Sequence, residues 1–118
     1  MDKLIHRAAL HRRRRRAEHL LVHAVAAVQR RGAERLTILT DEGAAIYVQY
    51  FGTIEYNDAA HAANAGERSS AYSDHYFRIA PRLETGDERY AWVNRSLFVG
   101  EGRLHPGPVV EYRVSRVL

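Results

Sequence analysis

The chain has 118 residues and no cysteine, and its composition is 46% hydrophobic and 27% charged. This length predicts one domain with a modest core, and it excludes a two-domain enzyme with a separate cofactor domain. The lack of cysteine excludes disulfides, thiolate zinc sites, iron–sulfur clusters and cysteine nucleophiles, so a metal would need histidine and carboxylate ligands. We predict no cofactor.

The net charge of +4 is divided unevenly along the chain. Residues 1–35 carry ten basic and three acidic side chains, a net charge of +7, and contain no Tyr, Phe or Trp. Residues 36–118 carry eight arginines and eleven carboxylates, a net charge of −3. This division predicts a basic, Arg/Ala-rich segment at 1–35, helical or disordered, followed by a β domain at 36–118.

Apolar residues at positions 20, 21, 24, 25 and 28 have helical spacing and predict one helix from about 17 to 31 that ends at Gly32. Polar residues interrupt its apolar run, which is too short to span a bilayer. We therefore predict no membrane span and a cytoplasmic location. A targeting segment and a start other than the native one remain two further interpretations of this stretch.

The arginine run Arg12–Arg16 could neutralise phosphates on nucleic acid or anionic lipid. A solvated basic tail is the simpler interpretation, because the acidic body lacks the interleaved basic and aromatic residues of a single-strand groove. A nucleic-acid partner is therefore not predicted.

From Leu36 onward, short β-rich runs alternate with turn residues, which is typical of an antiparallel all-β domain. The runs 36–40 and 44–53 flank a turn at 41–43 and predict a hairpin, since Gly43 can adopt the positive φ of a tight turn. The polar stretch 55–74 predicts a long loop with a short helix around 58–65.

Three more strands are predicted, at 75–84, 89–99 and 109–117. Pro81 marks an edge, a bulge or a bend in the first of them. The second alternates with period two and is the strongest of the three, and a connection rich in glycine and proline follows at 100–108. Five strands are few for a closed barrel of ligand-holding width. The open edges would be covered by the first segment, by a partner subunit or by strands that are missing.

The run FRIAPRLETGDERYAWVNRSLFVG at 77–100, with TDEGAAIYVQYFG before it and VVEYRVSRV after it, resembles the family called domain of unknown function 3237, or uncharacterised protein family 0311. The resemblance covers residues 36–118. It implies a soluble antiparallel β-barrel of lipocalin-like or small porin-like shape with no established general activity. In that family further strands with a glycine-rich stretch and an Asp-Trp pair precede the hairpin. Residues 1–35 do not reproduce them, so the fold expected here is an antiparallel β-barrel or a truncated form of it.

Candidate site residues are the polar and aromatic side chains on strand faces that would line such a barrel. An arginine there could hold a carboxylate or enolate, an amide could orient a carbonyl, and the rings could stack on an aromatic or polyketide-like ligand. Glu84 and Arg78 are the weak catalytic candidates, with Glu84 as a general base, although a cross-strand ion pair explains Glu84 as well. The predicted ligand-binding residues are Tyr47, Gln49, Arg78, Arg82, Tyr90, Trp92 and Asn94.

Other chemistry has little support in the sequence. His19 and His23 are four residues apart, but no carboxylate stands in a matching register, so no metal site is predicted. The chain lacks a glycine-rich phosphate loop, a Gly-x-Ser-x-Gly elbow and an Asp-rich calcium loop, which argues against nucleotide-dependent and serine-hydrolase chemistry.

Two hypotheses from different classes remain. The first is a β-barrel that binds a small organic molecule in its lumen, with room for a cofactor-independent lyase, isomerase or cyclase activity. The second is a non-catalytic, truncated barrel whose edges are completed by another copy, with the basic segment as a tail. A closed lumen favours the first, and an open sheet paired across a two-fold axis favours the second.

Overall fold

A computed structural model describes the backbone of residues 2–12, 18–25, 31–107 and 109–117, and the side chains of 35–107 and 109–117. The described chain contains seven strands, one α-helix and two 3₁₀ helices. The strands are β1 Asp2–Arg12, β2 Glu18–Val25, β3 Arg31–Thr40, β4 Ala45–Ile54, β5 Phe77–Glu84, β6 Phe98–His105 and β7 Val109–Arg116. The helices are α1 Asp58–Asn64 and the 3₁₀ helices Tyr72–Asp74 and Glu88–Arg95, which we call the 72–74 helix and the 88–95 helix.

The strands follow one another around a closed barrel in the order β1-β2-β7-β6-β5-β4-β3. Neighbouring strands are antiparallel except β1 and β3, which run parallel. The predicted mainly-β barrel is therefore confirmed, and the five strands expected after Leu36 correspond in number to β3–β7. The first segment covers their open edges, because β1 and β2 lie between β3 and β7. The described ring is thus closed, which favours the barrel over the truncated barrel among the two forms expected from the sequence.

The prediction of a helix from about 17 to 31 is wrong for residues 18–25, while residues 17 and 26–30 lie outside the described residues. Residues 18–25 form β2, which pairs with β1 on one side and with β7 on the other, from His19 opposite Ser115 to Val25 opposite Val109. Gly32, predicted as a helix cap, lies in β3 opposite Gly52. Pairing on both sides provides hydrogen-bond partners for the backbone N–H and C=O groups of β2 and of the β7 edge. The free energy gained from this pairing overrides a local helical pattern. Residues 13–16 of the arginine run lie outside the described residues.

The β3–β4 hairpin is confirmed. Gly43 has φ +83° in the turn, and the Gly43 amide donates to the Thr40 carbonyl at 2.9 Å. The Thr40 hydroxyl also accepts from the Ala44 amide at 3.0 Å. Period-two alternation then buries Leu36, Ile38, Ile46 and Val48 on the inner face of the barrel.

The predicted short helix in the long loop is also confirmed. α1 begins after Asn57, whose side chain accepts a hydrogen bond from the Ala60 amide as an N-cap. Its alanine face, with Ala60 and Ala63, joins the core beside β6. No helix in the described part of the chain has the length and apolar character needed to cross a membrane.

The predicted strand at 89–99 is wrong over residues 89–97, although Phe98 and Val99 lie in a strand, β6. Residues 88–95 form two 3₁₀ turns that meet at a kink at Tyr90, where φ is −119° and ψ is 17°. Asp87 caps the first turn, since its carboxylate accepts from the Arg89 amide at 2.9 Å. Tyr90 and Val93, three residues apart, are buried. The sequence does alternate here, but the cap at Asp87 and this three-residue spacing fit a 3₁₀ turn better than a strand.

The glycine-rich stretch after residue 99 is a strand rather than a connection. Within β6, a Cβ at Gly100 would lie 2.7 Å from the Ile79 side chain, and one at Gly102 would lie 2.7 Å from the Phe77 ring. These glycines let large residues of β5 pack directly over the β6 backbone. The strands predicted around 75–84 and 109–117 are confirmed as β5 and β7.

Candidate functional site

Five of the predicted site residues lie on the outer face of β4 and β5. On β5 the inner positions are taken by Phe77, Ile79, Pro81 and Leu83, which are buried. The alternate positions, Arg78, Arg82 and Glu84, therefore point outward, as do Tyr47 and Gln49, which stand opposite Glu84 and Arg82. The expectation that this face lines the lumen is wrong, because apolar residues fill the inner register. Its role in ligand binding stays a prediction.

The predicted aromatic pair belongs to the packing of the barrel. Tyr90 is buried in the core cluster. Trp92 is half-buried, with its ring centroid 6.0 Å from that of Phe98 and the Arg116 guanidinium carbon 5.8 Å from its own centroid. Both residues come from the 88–95 helix, so they do not share a strand face as the alternation predicts.

Asn94 joins the 88–95 helix to the end of β5. Its Oδ1 accepts from the Thr85 amide at 2.8 Å, and its Nδ2 donates to the Thr85 carbonyl at 2.9 Å. The Thr85 hydroxyl donates in turn to the Ala45 carbonyl at 2.7 Å. The amide of Asn94 is therefore used to hold a wall in place, and its predicted role in orienting a carbonyl stays a prediction.

A cleft opens where β5 and β6 separate. These strands pair at only two positions, Arg78 with Glu101 and Ile79 with Gly100. Beyond them, the 88–95 helix and the residues after it face β5 across a cavity of about 420 Å³, with an adjoining cavity of about 480 Å³ at the end of β5. We call these two cavities the β5–β6 cleft. Its lining is Ala80, Pro81, Arg82, Leu83, Glu84, Thr85, Gly86, Asn94, Arg95, Ser96, Leu97 and Phe98.

The β5–β6 cleft combines exposed charge with an apolar floor. The Arg82 Nε lies 3.0 Å from a Glu84 carboxylate oxygen, and both side chains are well exposed. Arg95 is exposed, and Leu97 is 76% exposed. Of the predicted site residues, the structure brings Arg82, Glu84 and Asn94 together here. Arg78 lies apart from the cleft, beside Glu101 and the Tyr76 ring.

A second polar cluster lies on the outer face of β6 and β7, and sequence reasoning missed it. Glu111 is 4% exposed, and its carboxylate accepts from the Arg103 guanidinium and the His105 ring. The hydrogen bond to Glu111 raises the pKa of Arg103. Burial, followed by the charge of Glu111, raises the pKa of Tyr72, whose ring lies 5.1 Å from the Arg103 guanidinium carbon. Only the strand register could have predicted this cluster, since Arg103 and Glu111 are eight residues apart in sequence but directly opposite each other on β6 and β7.

The loop before β5 is attached to this cluster through its serines. The Ser70 hydroxyl accepts from the Leu104 amide at 2.8 Å and lies 2.8 Å from the His75 Nε2. The Ser69 hydroxyl lies 2.8 Å from the His105 Nδ1. Burial lowers the pKa of His75, so its ring favours the neutral form. Among the described residues, no group of three histidine or carboxylate side chains is arranged to hold a metal ion.

The family model described as protein of unknown function DUF3237 matches residues 20–117. The chain belongs to this family. The match begins 16 residues before the resemblance seen in the sequence, and it includes most of β2.

Relatives and solved structures agree with this assignment. The chain is 33% and 37% identical over 75 residues to UPF0311 proteins from two strains of Rhodopseudomonas palustris, TIE-1 and ATCC BAA-98 / CGA009. These matches cover 60% of this chain and 46% of each relative, so the chain spans about half their length. The crystal structure of a conserved protein of unknown function from R. palustris is 29% identical, with a TM-score of 0.60 over 86% of this chain and 59% of the other.

Proposed function

We propose that this DUF3237 protein binds a small organic molecule with a carboxylate group in the β5–β6 cleft. The observation that carries the proposal is the pair of adjoining cavities of about 420 and 480 Å³, which share Arg82 and Asn94 in their linings. Both cavities are open to solvent, and their linings combine apolar walls with a few polar groups, as small-molecule sites do.

The lining divides into parts with separate roles. Arg82 and Arg95 supply guanidinium groups, which bind carboxylates through paired, charge-assisted hydrogen bonds. Pro81, Leu97 and Phe98 supply apolar surface for the body of the ligand. Asn94 keeps the wall in place through its two bonds to Thr85. Glu84 is the carboxylate in the lining and the group that could move a proton there.

The proposal is tested by titrating the protein with phenylacetate and following backbone amide shifts by NMR. We expect shifts concentrated in residues 80–86 and 94–98. Arg95→Gln should weaken binding at least tenfold, because a charge-assisted hydrogen bond contributes about 1.5–3 kcal/mol. Arg68→Gln is the matched control, since it removes an exposed arginine from the loop after α1 and should leave the affinity unchanged.

Two results would contradict the proposal. One is a titration in which the 80–86 and 94–98 amides do not move at millimolar phenylacetate. The other is equal weakening by Arg95→Gln and Arg68→Gln, which would indicate a general charge effect rather than a site.

A further inference from the structure

A continuous hydrogen-bonded chain runs from a surface serine to a buried carboxylate, at a distance from the β5–β6 cleft. The Ser69 Oγ lies 2.8 Å from the His105 Nδ1, and the His105 Nε2 lies 3.0 Å from the Glu111 Oε1. The three residues come from the loop after α1, the end of β6 and the start of β7. No contiguous motif marks them, which is why the sequence argued against serine chemistry.

The protonation pattern of this chain follows from its carboxylate end. The Arg103 guanidinium donates to the same Glu111 oxygen, which favours the ionised carboxylate, and an ionised carboxylate only accepts hydrogen bonds. The His105 Nε2 therefore carries the proton and donates it to Glu111. In a neutral imidazole the other nitrogen is then an acceptor, so the Ser69 hydroxyl donates to Nδ1.

Burial increases along this chain of hydrogen bonds from Ser69 to Glu111. The Glu111 side chain is 5% exposed and the His105 side chain 25% exposed, while Ser69 is exposed. The carboxylate is thus held away from water and the hydroxyl is open to a substrate. This combination of a base that is oriented by a third group and a reachable hydroxyl is the requirement for an activated serine nucleophile.

A neighbouring pair provides the contrast. Ser70 and His75 are also 2.8 Å apart, but both are buried, and the Ser70 oxygen is already bonded to the Leu104 amide. That pair fastens the loop to β6. It leaves Ser69 as the serine between α1 and β5 that combines a hydrogen bond to a histidine with exposure. Ser73, in the 72–74 helix, is exposed and makes no hydrogen bond to a histidine among the described residues.

We infer that Ser69 is a nucleophile for acyl transfer from small carboxylic esters, with His105 as its general base and Glu111 as the positioning residue. The Ser69 oxygen bonds to the ester carbonyl carbon while its proton passes to the His105 Nδ1. The carbon–oxygen bond to the alcohol breaks, and the alcohol leaves with that proton. Water then attacks the acyl-serine by the same route, which releases the carboxylic acid and restores the serine.

The test is labelling of the full chain with a fluorophosphonate, which bonds to an activated serine with loss of fluoride. Intact mass should show one adduct, and peptide fragmentation should place it on Ser69. Ser69→Ala should abolish the adduct. Ser73→Ala, the matched control in the nearby 72–74 helix, should keep it. No adduct, or an adduct that persists in Ser69→Ala, would overturn the inference.

The roles of the partners are tested separately, in variants shown by circular dichroism to be folded. His105→Ala should lower the labelling rate at least tenfold, and added imidazole should restore part of it. Glu111→Gln should lower the rate, while Glu111→Asp, which keeps the charge, should retain more of it. Labelling of Ser69 at the wild-type rate in His105→Ala would show that no base is at work. Because the β5–β6 cleft contains none of these residues, phenylacetate binding succeeds or fails independently.

Discussion

Gly102→Ala is expected to lower the stability of the barrel by about 1–3 kcal/mol, the usual range for overpacking a core. The new Cβ would lie 2.7–2.9 Å from three atoms of the Phe77 ring. That ring is buried and packs edge-on against Tyr112 at a centroid distance of 5.5 Å, so it has little room to move. Thermal unfolding should show a midpoint lower by roughly 4–12 °C for a chain of this size.

The same chain offers a matched control for this substitution. No atom lies within 4 Å of the position that a Cβ at Gly86 would take, and the φ of Gly86 is not positive. Gly86→Ala should therefore be neutral or stabilise by up to about 1 kcal/mol. Phe77→Leu should recover part of the loss when it is combined with Gly102→Ala, because it removes the ring that the methyl group meets. A Gly102→Ala midpoint equal to that of the wild type would show that β5 and β6 do not approach as described.

Arg103→Met is expected to cost about 2–4 kcal/mol, because it removes a positive partner from the buried carboxylate of Glu111. The Arg103 side chain is partly exposed, which places the effect toward the lower end of the values for breaking buried pairs. Urea unfolding measures it directly. Arg82→Met is the control, since the Arg82–Glu84 pair is exposed and its loss should cost no more than about 1 kcal/mol.

A double replacement provides a second test of the same ion pair. Arg103→Met combined with Glu111→Leu removes both charges and should restore much of the lost stability, as replacement of buried ion pairs by apolar residues often does. A single Arg103→Met variant as stable as Arg82→Met would mean that Glu111 is solvated and not held by Arg103.

The part of the fold that can be predicted from sequence is the part with strong local signals. Gly43 in its turn, Asn57 before α1 and the alternation of β5 each determine their structure through neighbours in the chain. Alternation alone does not separate the 88–95 helix from a strand, although Asp87 is an available cap signal. The glycines of β6 resemble turn residues in the sequence. They are required instead for close contact with β5 side chains far away along the chain, which no local pattern shows.

Less of the candidate site than of the fold can be predicted from sequence, because its residues are brought together by contacts between distant parts of the chain. Arg82, Glu84 and Asn94, predicted on two strand faces inside the barrel, lie together at the β5–β6 cleft outside it, because burial is decided by the barrel as a whole. Glu111 and His105 carry no local signal, since their partners are set by β6–β7 register and by a loop that returns to β6. Association between copies of the chain stays a prediction.

The barrel closes only if residues 18–25 form a strand against β7, and both sites lie on that closed ring. Hydrogen–deuterium exchange of the full chain tests this pairing most directly. Amides of residues 18–25 should exchange as slowly as those of Val109–Arg116, because the two strands share one ladder from His19 opposite Ser115 to Val25 opposite Val109. Exchange of residues 18–25 at the rate of an unfolded chain, with 109–116 protected, would contradict the closed barrel.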